Sequence, residues 1–145
     1  MSKKSRVVTL QVLVSQHHAL QGSAFLAAII GELNRVIAAD RVAKHNGWLL
    51  KVLYTTRALD TSLREIIACK GWDPSSDARS LSQYLKVLAG NSVVTPDQRN
   101  TYEKSLAHKR NKYMHEAGAM PDQLEAGQIL NEMHACLSIV LANAR

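Results

Sequence analysis

Apolar residues recur along most of this chain at steps of three and four, the spacing of one face of a helix. After Ser23, a residue suited to capping, the stripe Leu26, Ile29, Ile30, Leu33, Val36 and Ile37 predicts a core-facing helix up to about Asp40. A second stripe, Leu49, Val52, Leu53, Leu59, Leu63, Ile66 and Ile67, ends at Lys70-Gly71, a basic last turn followed by a glycine that stops the helix. GWDPSSDARS then predicts a loop, because Asp73-Pro74 blocks helix continuation and the Ser/Asp cluster supplies turn chemistry. A short helix, SLSQYLKVLAG, starts at Ser80 or near Asp77 and leads to a second loop, GNSVVTPDQ.

Thr95-Pro96 marks a strong start: a capping hydroxyl, proline at the first helical position, and Gln98 where a capping box needs it. That helix is expected to run to about Glu116 and to stop before Gly118 and Pro121. The last helix, from Pro121-Asp122 onward, carries the seam Leu130, Met133, Leu137, Val140 and Ala144. VVTLQVLV, residues 7 to 14, fits either an alternating strand or a helix; helix is preferred, since a lone strand has nothing to pair with. The sum is a single all-α domain over 1–145, an up-and-down bundle of four to five main helices.

Composition agrees with a packed domain: 46% of residues are hydrophobic and 21% charged, and aromatics at 5% leave the core to aliphatic side chains. The net charge of +6 with a pI of about 9.6 points to a polyanionic partner, since clustered Lys and Arg bind phosphates and release counterions. Cys69 and Cys136 lie far apart in apolar-periodic helices, which predicts buried inert thiols and a reducing compartment. With no Cys/His cluster and no glycine-rich phosphate loop, neither a metal nor a cofactor is expected. No apolar run reaches the roughly 20 residues of a membrane span. The basic, apolar start imitates a signal peptide, but Thr9 and Gln11 interrupt it and no cleavage pattern follows, so the expected location is cytoplasmic.

The helix from Pro96 to Glu116 is the unusual one. On a regular wheel Tyr102, Leu106, Tyr113 and Ala117 fall within about 60° of one another, a thin apolar stripe. Lys104, His108, Asn111 and His115 lie nearly opposite, with Arg110 at the border. So little apolar surface motivates burial poorly, and the polar side is expected to meet something other than water. Arg110 and His115 are about 140° and about 7.5 Å apart on such a helix, so one chain does not naturally aim both at one small ligand. Two copies facing each other across a two-fold axis supply two arginines and two histidines to a single basic cleft, which suits a phosphodiester. There an imidazole can move a proton at the ribose 2′-hydroxyl or the leaving oxygen. A guanidinium can brace the extra negative charge of the phosphorane. Asn111 can orient the imidazole or hold a phosphate oxygen.

At Arg110, Asn111 and His115 the chain resembles the HEPN superfamily, whose ribonuclease members carry an R-x4-6-H motif, often with a polar second residue, near the end of a late helix. The resemblance implies a helical bundle, a homodimer with a composite site, metal-independent cleavage of single-stranded RNA or tRNA, and a setting in toxin–antitoxin, antiviral-defence or RNA-processing systems with a possible antitoxin or defence-complex protein as partner. Some family toxins carry a tyrosine two residues after the histidine, which their nucleotidyltransferase partner modifies. Here that position is Ala117, which sets that pairing in doubt.

Lys104, His108 and Lys112 on this helix, with Arg57 and Arg64 on an earlier one, are further candidates for RNA contact. Arg57, Asp60 and Arg64 also have the spacing of a surface ion-pair ladder, and one of these arginines can border the same cleft. His17 and His18 are expected to point to different faces, Trp48 and Trp72 to anchor packing, and Lys3, Lys4 and Arg6 to form a solvated basic tail. The competing function is a catalytically inactive helical adaptor or dimerisation module in a larger defence or toxin complex. A DNA-binding protein has the charge but no evident recognition helix.

Overall fold

The computed structural model describes residues 2–39, 44–72 and 80–145, apart from the side chains of Lys3, Lys44 and His45. Among these residues the regular structure is entirely helical: α1 (Lys3–Gln16), α2 (His18–Gln21), α3 (Leu26–Ala38), α4 (Lys44–Lys70), α5 (Leu81–Gly90), α6 (Pro96–Tyr102), a π-helical turn (Glu103–Ala107), α7 (His108–His115) and α8 (Gln123–Asn143). The expected loop at 73–79 and the end of the Ser23 helix at Asp40 lie outside the described residues. No described helix is long and apolar enough to cross a membrane.

Helix α1 resolves the ambiguity of VVTLQVLV. Val7, Leu10 and Val14, spaced by three and four, are buried, whereas Val8 and Val12 are exposed. The basic start is the first turn of this helix and no tail: Ser2 caps it by accepting the Ser5 N–H at 3.1 Å, and Arg6 donates to Asn131 of α8. Helices α1, α3, α4 and α8 close a ring in which each packs on two others, α1 on α3 and α8, and α4 on α3 and α8. Their shared interior is aliphatic, with Leu10, Ile29, Leu33, Leu59, Leu63 and Leu137 fully buried. The seam foreseen on α8 is buried throughout, including Ala144 just beyond the helix end.

Several termini form as their sequence dictates. Thr95 and Gln98 make the complete capping box, Ser80 caps α5, Asp122 caps α8, and Gly71 and Gly118 hold φ of +68° and +80° after α4 and α7, a conformation that costs glycine little. Ser23 does something else. Its hydroxyl accepts the Phe25 N–H and faces Glu65 of α4 at 3.2 Å, and α3 begins only at Leu26.

His17 breaks α1 from α2. Extended at φ −74° and ψ 130°, it caps α2 by accepting the Ala19 N–H at Nδ1, which leaves Nε2 to donate to the Ala144 carbonyl at 2.9 Å. His18 does not point elsewhere as expected: its ring stacks on that of His17 at 4.6 Å, because the break brings the two rings to one side. The cysteines also differ from each other. Cys136 is buried, and burial pushes its thiol up to about 12, but Cys69, near the end of α4, is exposed. Trp48 and Trp72 pack partly buried against the core, as anchors do.

Candidate functional site

The residues singled out for chemistry sit on the last third of a helix that is not regular. Between Tyr102 and His108 the chain makes the π-helical turn Glu103–Ala107. Such a turn accommodates one extra residue, so everything after it is set back by about 100° relative to a continuous α-helix. On a regular wheel Arg110 lies about 80° from buried Tyr102; with the setback it comes to about 20°. Arg110 is accordingly half-buried, on the side where α7 packs against α4. Its Nε is shielded from solvent and has no hydrogen-bond partner among the described residues. The apolar stripe also ends early: Tyr102, Leu106 and Tyr113 are buried, but Ala117 is exposed because the helix stops at His115 and Glu116 turns to extended backbone.

Asn111 and His115 are exposed, as are Lys104, His108 and Lys112, the last with its ammonium 5.5 Å from the centre of the Tyr113 ring. Arg110 and His115 both follow the π turn within the regular helix α7, so their divergence of about 140° is preserved. One guanidinium is turned toward α4 while the imidazole stands at the free end of α7.

Helix α7 is held in place from the side away from Asn111 and His115. Lys109 pairs with Glu125 of α8 at 2.6 Å, and the Tyr113 hydroxyl donates to the same carboxylate. Those two hydrogen bonds hold the Glu125 carboxyl below its ordinary range, whereas burial and the carboxylate raise Tyr113 well above the usual phenol range.

On α4 the expected ladder does not form as drawn. Arg57 reaches across to Glu32 of α3 at 3.1 Å, and Arg35 shares that carboxylate at 3.5 Å. The reason is geometric: Glu32 is buried where α3 packs on α4, and a buried carboxylate demands a cation more strongly than an exposed helix face does. Arg64 lies 5.0 Å from the centre of the Phe25 ring and 3.8 Å from Glu65. Asp60, between the two arginines, is held above the ordinary carboxylate range by burial, which outweighs the opposing pull of Arg110 and then Arg64. The charges of Arg110 and Arg64 thus both act on Asp60, while Arg57 pairs with Glu32 instead. Asp60 is the site neighbour that sequence reasoning missed; its only signal was its place between two arginines on an otherwise apolar-periodic helix.

Concave sites are also formed among the described residues without α7. One of about 430 Å³ is lined by α1, α2 and the end of α8, with Gln16, His17, His18, Ser138 and Arg145 as its polar members. Another of about 400 Å³ lies between α1 and α3, and a third of about 350 Å³ along α8. Among the described residues no group of three or more His, Cys, Asp or Glu side chains is placed to hold a metal ion. No protein-family model matches the chain, and no curated protein or solved structure matches it either.

Proposed function

We propose that the protein is a HEPN-type endoribonuclease that cleaves RNA by attack of the 2′-hydroxyl, without a metal, at a site completed by a second copy of the chain. The observation that carries the reading is the contrast on α7: Arg110 is half-buried beside α4, while Asn111 and His115 stand exposed one turn apart at the helix end. A half-buried guanidinium and a solvent-facing imidazole supply the two functions phosphodiester cleavage needs. In this reading one His115 takes the 2′-hydroxyl proton and the 2′ oxygen attacks phosphorus. The bond to the 5′ oxygen breaks as that oxygen takes up a proton from solvent, while the Arg110 of the second copy braces the phosphorane. The products are a 2′,3′-cyclic phosphate and a 5′-hydroxyl end. Asn111 steadies an imidazole or a phosphate oxygen, and Lys104, His108, Lys112 and Arg64 supply contacts along the strand. Arg57, already committed to Glu32, contributes charge at most.

The need for a second copy follows from the divergence of Arg110 and His115 on one helix. Exposed Met114, beside His115, and exposed Met120 and Leu124 along the connection to α8 give a partner apolar surface to cover. Toxin–antitoxin or antiviral defence is the setting that fits a small basic nuclease of this type, with the cytoplasm as its compartment. The same divergence also favours the second reading, a silent helical adaptor, because a monomer leaves the pair unassembled. Incubation with RNA in EDTA separates them. The nuclease reading expects chelator-resistant cleavage that is lost in both His115→Ala and Arg110→Ala; cleavage persisting in both variants would sink the site.

A further inference from the structure

The cavity of about 430 Å³ between α1, α2 and the end of α8 has no part in RNA cleavage, yet its walls carry donors that the fold does not use. His17 is committed: buried, it accepts the Ala19 N–H at Nδ1 and donates from Nε2 to the Ala144 carbonyl at 2.9 Å. That makes it a fixed platform, and the exposed His18 is placed by stacking on it at 4.6 Å. Arg145 donates from Nε to the Ala142 carbonyl at 3.0 Å, which leaves the two Nη groups of its fork for another acceptor. The Ser138 hydroxyl is shielded from solvent and has no hydrogen-bond partner among the described residues, whereas a buried polar group is ordinarily satisfied. Leu13, Leu141 and Ala142 supply an apolar wall.

None of the described residues that line this cavity carries a carboxylate side chain. The end of α8 would repel an anion through its carbonyls, but those beside the cavity are already met: Ala142 by Arg145 Nε, Ala144 by His17 Nε2, and the main-chain oxygen of Arg145 by the Lys70 ammonium. Lys70 thereby offsets the negative charge of that oxygen and is not counted toward a ligand. The field at His17 agrees. Burial first, and then the charges of His18 and Lys70, hold it below its ordinary value against the upward pull of its bond to Ala144. A guanidinium fork, an imidazole N–H and a hydroxyl are donors for three oxygens, the number a phosphate monoester presents; a carboxylate has two, and so does a diester within a strand. We propose that this cavity binds a small organic phosphate monoester, its phosphate held by Arg145, His18 and Ser138 and its organic body laid on Leu13 and Leu141. No residue of α7 lines the cavity, so the site stands whether or not the protein cleaves RNA.

The probe is phenyl phosphate, titrated into full-length protein labelled with ¹³C at histidine and followed by NMR and calorimetry. Saturable binding that moves the His18 ring resonances is expected. Arg145→Gln is expected to weaken it by about tenfold. Ser138→Ala, which removes one hydroxyl and leaves the Arg145 contact to Ala142 in place, is expected to weaken it by about fivefold. Circular dichroism checks that both variants keep the fold. Benzoate is expected to bind at least about tenfold more weakly than phenyl phosphate. Arg110→Ala and His115→Ala, which alter the other basic face, are expected to bind the probe as wild type does. The proposal is overturned if wild type shows no saturable binding below about 1 mM, or if benzoate binds as tightly as phenyl phosphate. Binding that survives in both Arg145→Gln and Ser138→Ala overturns it as well, as does binding lost in Arg110→Ala or His115→Ala, which would place the phosphate on α7.

Discussion

Arg110 shows how far a single residue's role departs from its place on a helical wheel. In the sequence it borders a polar face; in the fold the π turn before it brings it to the α4 side, where its charge acts on Asp60. Neither the π turn nor that neighbour has a local sequence signature, since EKSLA is an ordinary helical string and Asp60 lies fifty positions upstream. His115, Asn111, Lys104 and His108, by contrast, are exposed as their helical spacing predicts. Because His115 is exposed, His115→Ala should leave stability within about 0.5 kcal/mol of wild type, while lowering RNA cleavage by about 10²-fold or more. Denaturant melts and an RNA time course check the two halves separately. Asp60→Asn should raise the melting temperature at pH 7, because the fold holds the Asp60 carboxyl above its ordinary range and so disfavours the charged form.

The capping signals were legible where the chemistry is local. Thr95, Pro96 and Gln98 specify the start of α6, and Asp122 that of α8, because each satisfies orphan N–H groups within three residues. Thr95→Ala should cost about 1 kcal/mol, read from the midpoint of urea unfolding. Ser23 misled because its hydroxyl is shared with Glu65 of α4, a contact that only the packing of α2–α3 against α4 creates. His17 was illegible for the same reason: its partner is the Ala144 carbonyl, at the far end of the chain. The π turn carries the sharpest element-scale prediction. Deleting Lys104 should restore a continuous α-helix and leave α7 at the angle it has, because the π turn absorbs one residue and seven regular residues after Tyr102 also bring Arg110 to about 20° from it. Cleavage and a melting temperature close to those of wild type are expected, from an RNA time course and a thermal melt; loss of both would show that the π turn does more than absorb one residue.

At the scale of the whole molecule, the all-helical bundle was legible because the periodic apolar stripes of α3, α4 and α8 are the buried faces. Acid tests how it is held. Burial lowers His17 and His134 below the ordinary 6.5, so above that pH they are neutral folded or unfolded and cost nothing. As pH falls below 6.5 the unfolded chain takes up these protons first, and stability is expected to fall until the folded-state values are passed. Glu125, held below 4.5, adds its loss only in stronger acid. Melting temperatures from pH 7.5 to 5 should therefore decline, and the decline should flatten in His17→Gln/His134→Gln. The central claim belongs to this scale too, since it joins two copies of the chain at one phosphodiester. Its most direct test is RNA cleavage in EDTA by Arg110→Ala, by His115→Ala and by the two mixed after joint refolding. The account predicts two inactive proteins whose mixture regains part of the wild-type activity and releases 2′,3′-cyclic phosphate ends. A mixture that stays inactive beside an active wild type would contradict the two-copy site, and a single variant that cleaves like wild type would contradict the site itself.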